Sequence, residues 1–202
     1  LDQRDYIKNS LKIYSDLLEN ISNSFLNQQL KMIEEFRAFI DSSQEVFLRK
    51  NLPGHFTASS FILCKERKKL LMTHHLKLNK WLQLGGHADG ESVLHQVALN
   101  EAFEESGLDD VRFLNYNFFP NPQVPLIFDI DCHFIPKNSK DPEHYHFDVR
   151  YLLCIDHDQE VKISGESLDL RWIDLHEVYL YNNEPPIARC ISKIKKLHSQ
   201  LI

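Results

Sequence analysis

Apolar residues recur at two different periods along the chain, and the change of period divides it. From Ile7 through Leu11, Tyr14 and Leu18 the spacing is that of a helix. It resumes at Leu26, Leu30 and Ile33, with Phe36 and Ile40 continuing the stripe. Asn20 to Asn23 interrupt the run, so residues 1–48 are predicted as a helical hairpin with one buried face. Leu52-Pro53-Gly54 is a breaker. Phe56 to Cys64 then reads as a strand, rich in aromatic and branched residues. The charged run Lys65–Lys69 turns the chain, and Leu70 to Thr73 returns as the partner strand. Val93 to Ser106 is helical, with Ser92 placed as its N-cap and Gly107 as its stop. Val111 to Phe119 and Leu126 to Ile135 read as strands around the turn Pro120-Asn-Pro-Gln. Residues 136–142 are polar and loop-like. Val149 to Ile155 is a further strand, and Pro186 to His198 a last helix whose Ile187, Cys190, Ile191, Ile194 and Leu197 face the core.

Chemistry concentrates in one place. Four of the six glycines fall at positions 85, 86, 90 and 107, which marks a shaped loop leading into a stopped helix. That helix carries Glu101, Glu104 and Glu105 at i, i+3, i+4, so the three carboxylates share a face. Leu94, Val97 and Ala98 lie on the same face. A solvated acidic face more often lies opposite the apolar stripe. Clustered carboxylates near apolar groups repel one another, and a hard divalent cation such as Mg²⁺ relieves this. The competing account is an acidic surface helix without an ion.

The stretch from Gly86 to Leu108 resembles the Nudix box of the Nudix hydrolases. That box reads Gly, five residues, Glu, seven residues, then Arg-Glu-apolar-x-Glu-Glu-x-Gly-apolar. Gly86 takes the first position, and Glu101 to Leu108 match the end in register. Two positions depart: Ser92 stands for the box Glu, with Glu91 one residue early, and Asn100 stands for the Arg. In the family that Arg helps hold a glutamate, and Asn carries no charge for the task. The resemblance implies an α/β/α sandwich with a mixed sheet over residues 49–202, behind an N-terminal helical extension over 1–48. It implies hydrolysis of a diphosphate linkage in a nucleoside diphosphate derivative or related substrate. Glu101, Glu104 and Glu105 would hold Mg²⁺ or Mn²⁺ and carry the catalysis. One of them, or an acid from a later loop, would be the base. Gly165-Glu166 ahead of Trp172 resembles the late family segment that adds an acid to the metal site, and Glu166 is the candidate. A plain loop acid is the alternative.

Other residues are candidates for the substrate. His87, after Gly-Gly, could donate to a phosphate, ligate metal or serve only structure. His144, His146, Asp148 and Arg150 alternate along a strand and so share one side. With Asp131 and His133 on the neighbouring run they could form a second metal or phosphate-binding patch, or simply face solvent. His146, Asp148 and Arg150 are assigned to the substrate, with Arg150 as the phosphate partner. The basic segment His74, His75, Lys77 and Lys80 either meets a phosphate or is solvated. The helical hairpin is read first as cover for the sheet, with a dimer arm or a substrate lid as alternatives.

Composition narrows the class. The chain has 202 residues, 43% hydrophobic and 26% charged, which suits one globular domain with an appendage. Its net charge of −6 implies no general attraction to nucleic acid or to an anionic membrane; a small diphosphate is the partner that the family resemblance implies. A homodimer is left open. Cys64, Cys132, Cys154 and Cys190 show no Cys-x-x-Cys pairing, and a reducing, cytoplasmic setting fits them. The start shows no signal-peptide pattern, and no apolar run is long enough to span a bilayer. Three rivals to the hydrolase share parts of this reading. A Nudix-fold nucleotide sensor would explain Asn100 without catalysis. An isoprenoid diphosphate isomerase needs a catalytic Cys near the metal loop, and none lies between Cys64 and Cys132. A non-enzymatic protein could use the helical arm for interaction.

Overall fold

Ten consecutive buried residues build the central strand, β1 (Gly54–Leu63). Burial along the whole length requires cover on both faces and neighbours on both edges. On one edge β1 runs parallel to β7 (His144–Cys154), in register from Gly54 opposite Tyr145 to Leu63 opposite Cys154. The other edge is shared. β4 (Leu84–His87) pairs antiparallel with Thr57 to Ser60, and β2 (Lys69–His75) takes Ile62 and Leu63. β3 (Lys80–Leu82) and β8 (Ser167–Asp174) pair with β2. β5 (Arg112–Phe113) and β6 (Asp129–Ile135) pair with β7. The result is a mixed sheet of eight strands. This is a computed structural model, and it describes residues 2–20, 25–114, 124–138 and 141–198.

Helices cover both faces, as the expected α/β/α sandwich requires. α3 (Leu94–Ser106) lays Leu94, Ala98 and Ala102 on one face, against Ala58, Ile62, Leu84 and Leu153. α5 (Pro185–His198) lays Ile187, Cys190 and Ile194 on the other, against Phe61, Leu63 and Leu152. The one-turn α4 (Val178–Tyr181) joins that second layer through Val178. The predicted hairpin is present as α1 (Asp5–Asn20) and α2 (Leu26–Ser42). The expected break falls partly on residues 21–24, outside the described residues. Phe36 and Phe39 of α2 pack on Phe56 and Phe147, and the Phe39 and Phe147 rings stack with centroids 3.7 Å apart. The hairpin therefore shares a core with the sheet and covers it.

Two predicted strands differ from those formed. Of the run 111–119 only Arg112–Phe113 is a described strand, and residues 115–123, with the Pro120 turn, lie outside the described residues. The run from Leu126 pairs only from Asp129 onward, while Leu126, Ile127 and Phe128 are buried outside the strand. Among the described residues, no helix is long and apolar enough to cross a membrane.

Candidate active site

The site is built where β4 meets α3. β4 is only four residues long and two of them are glycines, so its backbone can lie close to the helix. The Gly85 N–H donates to Glu105 Oε2 at 2.9 Å. A Cβ on Gly86 would overlap the Glu101 carboxylate, so only glycine leaves room for it there. Glu105 is 7% exposed, Glu101 half-buried and Glu104 exposed. Burial raises Glu105 to about 7; the Gly85 N–H opposes this, while Glu101, Glu166 and Glu104 add to it. Glu101 is also raised, by burial first and then by Glu104 and Glu166. Glu166, on the exposed turn before β8, is therefore near enough to act on both Glu101 and Glu105. Its backbone carbonyl accepts from the Leu76 N–H at 2.9 Å.

The helix ends partly as expected. Gly107 stops α3 in the left-handed conformation, φ 67°, and its N–H returns to the Phe103 carbonyl. At the start, Ser92 is not the N-cap. α3 begins at Leu94, its N-cap is Val93, and no side chain caps it. The Glu91 carboxylate instead accepts from the Val93 N–H at 2.7 Å, ahead of the helix. Asn100 is exposed and its Oδ1 accepts from Gln96 at 2.9 Å, so it is engaged along its own helix. The cation that lowers Glu101 is Arg49, which the sequence reading passed over. Arg49 grips Asp89 with two hydrogen bonds, 2.5 and 2.7 Å.

The strand row has a different fate from the one expected. His146, Asp148 and Arg150 do share a face, but α5 covers it at Arg150. Arg150 is 3% exposed and donates to Asp148 at 2.8 Å, Asp131 at 3.2 Å and Asp129 at 3.3 Å. Arg189 of α5 binds Asp129 and Asp131, and Lys193 binds Asp129. Three carboxylates thus face three cations in the interior. The expectation that Arg150 offers a free fork to a phosphate is corrected by this arrangement, because its donors are spent on buried aspartates. Asp148 is likewise occupied, accepting from Thr57 at 3.1 Å and Ser59 at 2.8 Å as well as from Arg150. Burial pushes Asp129 and Asp131 up. Lys193 and the two arginines outweigh it for Asp129, and His133 with the same arginines for Asp131, so both stay below the usual carboxylate range.

His87 and His146 meet each other instead. Gly86 faces α3, so His87, the next residue of β4, faces the opposite side of the sheet. It lies beside His55 and His146, ring centroids 5.2 and 4.9 Å away. Burial lowers His55 and His87 to about 4 and His146 to about 2, with like-charged neighbours adding to each. All three are neutral imidazoles at neutral pH. The sequence reading missed His55, which precedes the apolar run at Phe56. The basic segment before β4 is tied locally: Lys80 pairs with Glu184, and the His74 ring stacks on Trp81 at 5.1 Å.

A glycine-shaped strand beside one buried and one half-buried glutamate of a single helix, on a mixed sheet between helices, is the setting of a phosphoanhydride hydrolase of the Nudix type. The Nudix domain model matches residues 54–194, and the chain belongs to the Nudix family. Solved structures share the fold. A C. elegans Ap4A hydrolase in a binary complex superposes with a TM-score of 0.56 at 15% identity, covering 72% of this chain and 98% of that one. The M. smegmatis Nudix hydrolase RenU gives 0.51 at 13%, covering 73% and 88%. The E. coli dihydroneopterin triphosphate pyrophosphohydrolase gives 0.50 at 13%, covering 70% and 92%. No curated protein sequence matches the chain.

Proposed function

We propose that this Nudix hydrolase cleaves a diphosphate linkage in a nucleoside diphosphate derivative or a related substrate, with Mg²⁺ or Mn²⁺ as cofactor. The observation that carries the reading is Glu105: buried, fixed by the Gly85 N–H and raised to about 7, it has no ion pair with a cationic side chain among the described residues. The donor set fits a hard ion, since Glu101, Glu104, Glu105 and Glu166 offer only carboxylate oxygens. When bound, such a cation draws charge from the phosphoryl oxygens and lowers the pKa of the attacking water. The chain's own part is positional. Gly85 aims Glu105, the bare Cα of Gly86 leaves space for Glu101, and Glu104 stays open to solvent. The proton of the attacking water passes to a carboxylate of this cluster. With a net charge of −6, the protein needs the cation to hold an anionic substrate.

Residues 1–48 are read as a helical extension and 49–202 as the hydrolase domain. The free thiols Cys64, Cys132, Cys154 and Cys190 suit a reducing, cytoplasmic setting. Structural neighbours named for Ap4A and dihydroneopterin triphosphate point to phosphorylated small molecules as the class to screen. The test is turnover of a panel of nucleoside diphosphate derivatives with Mg²⁺, by wild type and by Glu104→Gln. Turnover that needs the metal and falls sharply in the variant supports the reading. A nucleotide sensor is the second reading, favoured by the bond that Asn100 makes to Gln96 rather than to a glutamate. Tight binding of a panel member without turnover would replace the first reading with the second.

A further inference from the structure

We propose that His55, His87 and His146 form a second metal site, for a transition-metal ion of the zinc class, on the face of the sheet opposite the glutamates. The first observation is geometric. One ring nitrogen from each histidine lies within 4.8 Å of the other two. Nitrogens bound at about 2.1 Å in a tetrahedral shell stand about 3.4 Å apart, so small ring rotations close the shell. The second observation is independent. His55 is 3% exposed, and neither of its ring nitrogens has a hydrogen-bond partner among the described residues. An orphaned buried polar group is destabilising, and a metal bond to one nitrogen removes part of that penalty.

The three rings come from three hydrogen-bonded strands, which makes the site rigid. His55 on β1 is the register partner of His146 on β7, and Thr57 on β1 is the partner of His87 on β4. His144 is the brace. Its Nδ1 meets the Pro142 carbonyl at 2.8 Å and its Nε2 meets His146 Nε2 at 3.1 Å, so both its nitrogens are engaged. A metal-bound histidine commonly has such an outer partner. The donor chemistry separates this site from the carboxylate cluster. Imidazole suits Zn²⁺, Co²⁺, Ni²⁺ and Cu²⁺, whereas Mg²⁺ takes oxygens. Three histidines leave a fourth position open to water or an anion. The site does not depend on the hydrolase reading.

The test is a titration of the metal-free full chain with Co²⁺ alone, followed by visible absorption, in wild type, Glu104→Gln, His87→Gln and His146→Gln. One equivalent of Co²⁺ should give the intense bands of a tetrahedral ion. Zn²⁺ should displace it and millimolar Mg²⁺ should not. Glu104→Gln should bind as wild type does. Each histidine variant should lose at least about 100-fold in affinity, as much as a lost outer partner costs at most. No tetrahedral spectrum in wild type, or one that survives both histidine variants or vanishes in Glu104→Gln, overturns the site. X-ray absorption at the zinc edge of the wild type removes any dependence on variants that fail to fold. Imidazole scattering from three ligands supports the assignment, and a shell of oxygens alone ends it.

Discussion

Glu105 Oε2 accepts the Gly85 N–H at 2.9 Å, and this single bond joins the acid face of α3 to the glycine strand β4. The bond does not offset the burial of the carboxylate, whose pKa stands at about 7 against an ordinary 4.5.

The pH dependence of stability follows from that shift. In the metal-free protein the folded state holds the Glu105 proton more tightly than the unfolded chain does. The stability is therefore fully present below about pH 4.5 and is lost as pH rises through about 7. The amplitude is on the order of 3 kcal/mol. Urea midpoints at pH 5 and pH 7.5 should fall with pH in wild type and change less in Glu105→Gln. Millimolar Mn²⁺ should restore the wild-type midpoint at pH 7.5. Parallel curves for the two proteins would remove Glu105 as the source.

Gly86→Ala tests the space for Glu101. The added methyl would meet the end of a flexible side chain, so the fold should survive with a loss of under about 1 kcal/mol. Glu101 must turn away from β4, and Mn²⁺ affinity by calorimetry should fall about tenfold or more. Unchanged affinity would show that Glu101 binds nothing from this position.

Asn100→Arg should raise the rate constant for a cleaved substrate, or leave it intact. Among the described residues the Asn100 side chain bonds along its helix, to Gln96, while a charged donor could fix a neighbouring glutamate. The position is exposed, so folding should not change. A large fall in kcat with a normal Tm would mean that Asn100 has its own task.

Arg150→Lys should act on stability rather than on substrate. A lysine ammonium cannot reach Asp129, Asp131 and Asp148 together as the guanidinium does. Leaving a buried carboxylate short of a partner costs about 3–5 kcal/mol. Chemical denaturation should show that loss, while KM of the remaining folded protein stays the same. A raised KM with full stability would return Arg150 to the substrate.

The helix that carries the glutamates, and the glycine strand beside it, were legible because their parts lie close in sequence. The spacing of Gly86, Glu101, Glu104, Glu105 and Gly107 places helix, carboxylates and stop within one turn-and-helix unit. What covers a face was not legible. Strand alternation put His146, Asp148 and Arg150 on one side, but Arg189 and Lys193, which with the aspartates make that side an interior, lie about forty residues onward in α5. His55 escaped notice for a related reason. Nothing local to it reveals that β4 and β7 will bring two more histidines alongside. Ser92 had the chemistry of a cap, yet Glu91 reached the free N–H first.

The parallel pairing of β1 with β7 carries a kinetic consequence. Residues 54–63 find their partners only at 145–154, and β4 and α3, which carry Gly85, Gly86, Glu101 and Glu105, lie in the interval they enclose. Contacts of such long range slow folding, because loop closure must precede the gain in pairing. On the ribosome, β4 and α3 emerge well before the strand that completes their sheet. β4 and α3 are therefore synthesised early but joined to a complete sheet late, and the bond from Gly85 to Glu105 should form in one step with the closing of β7.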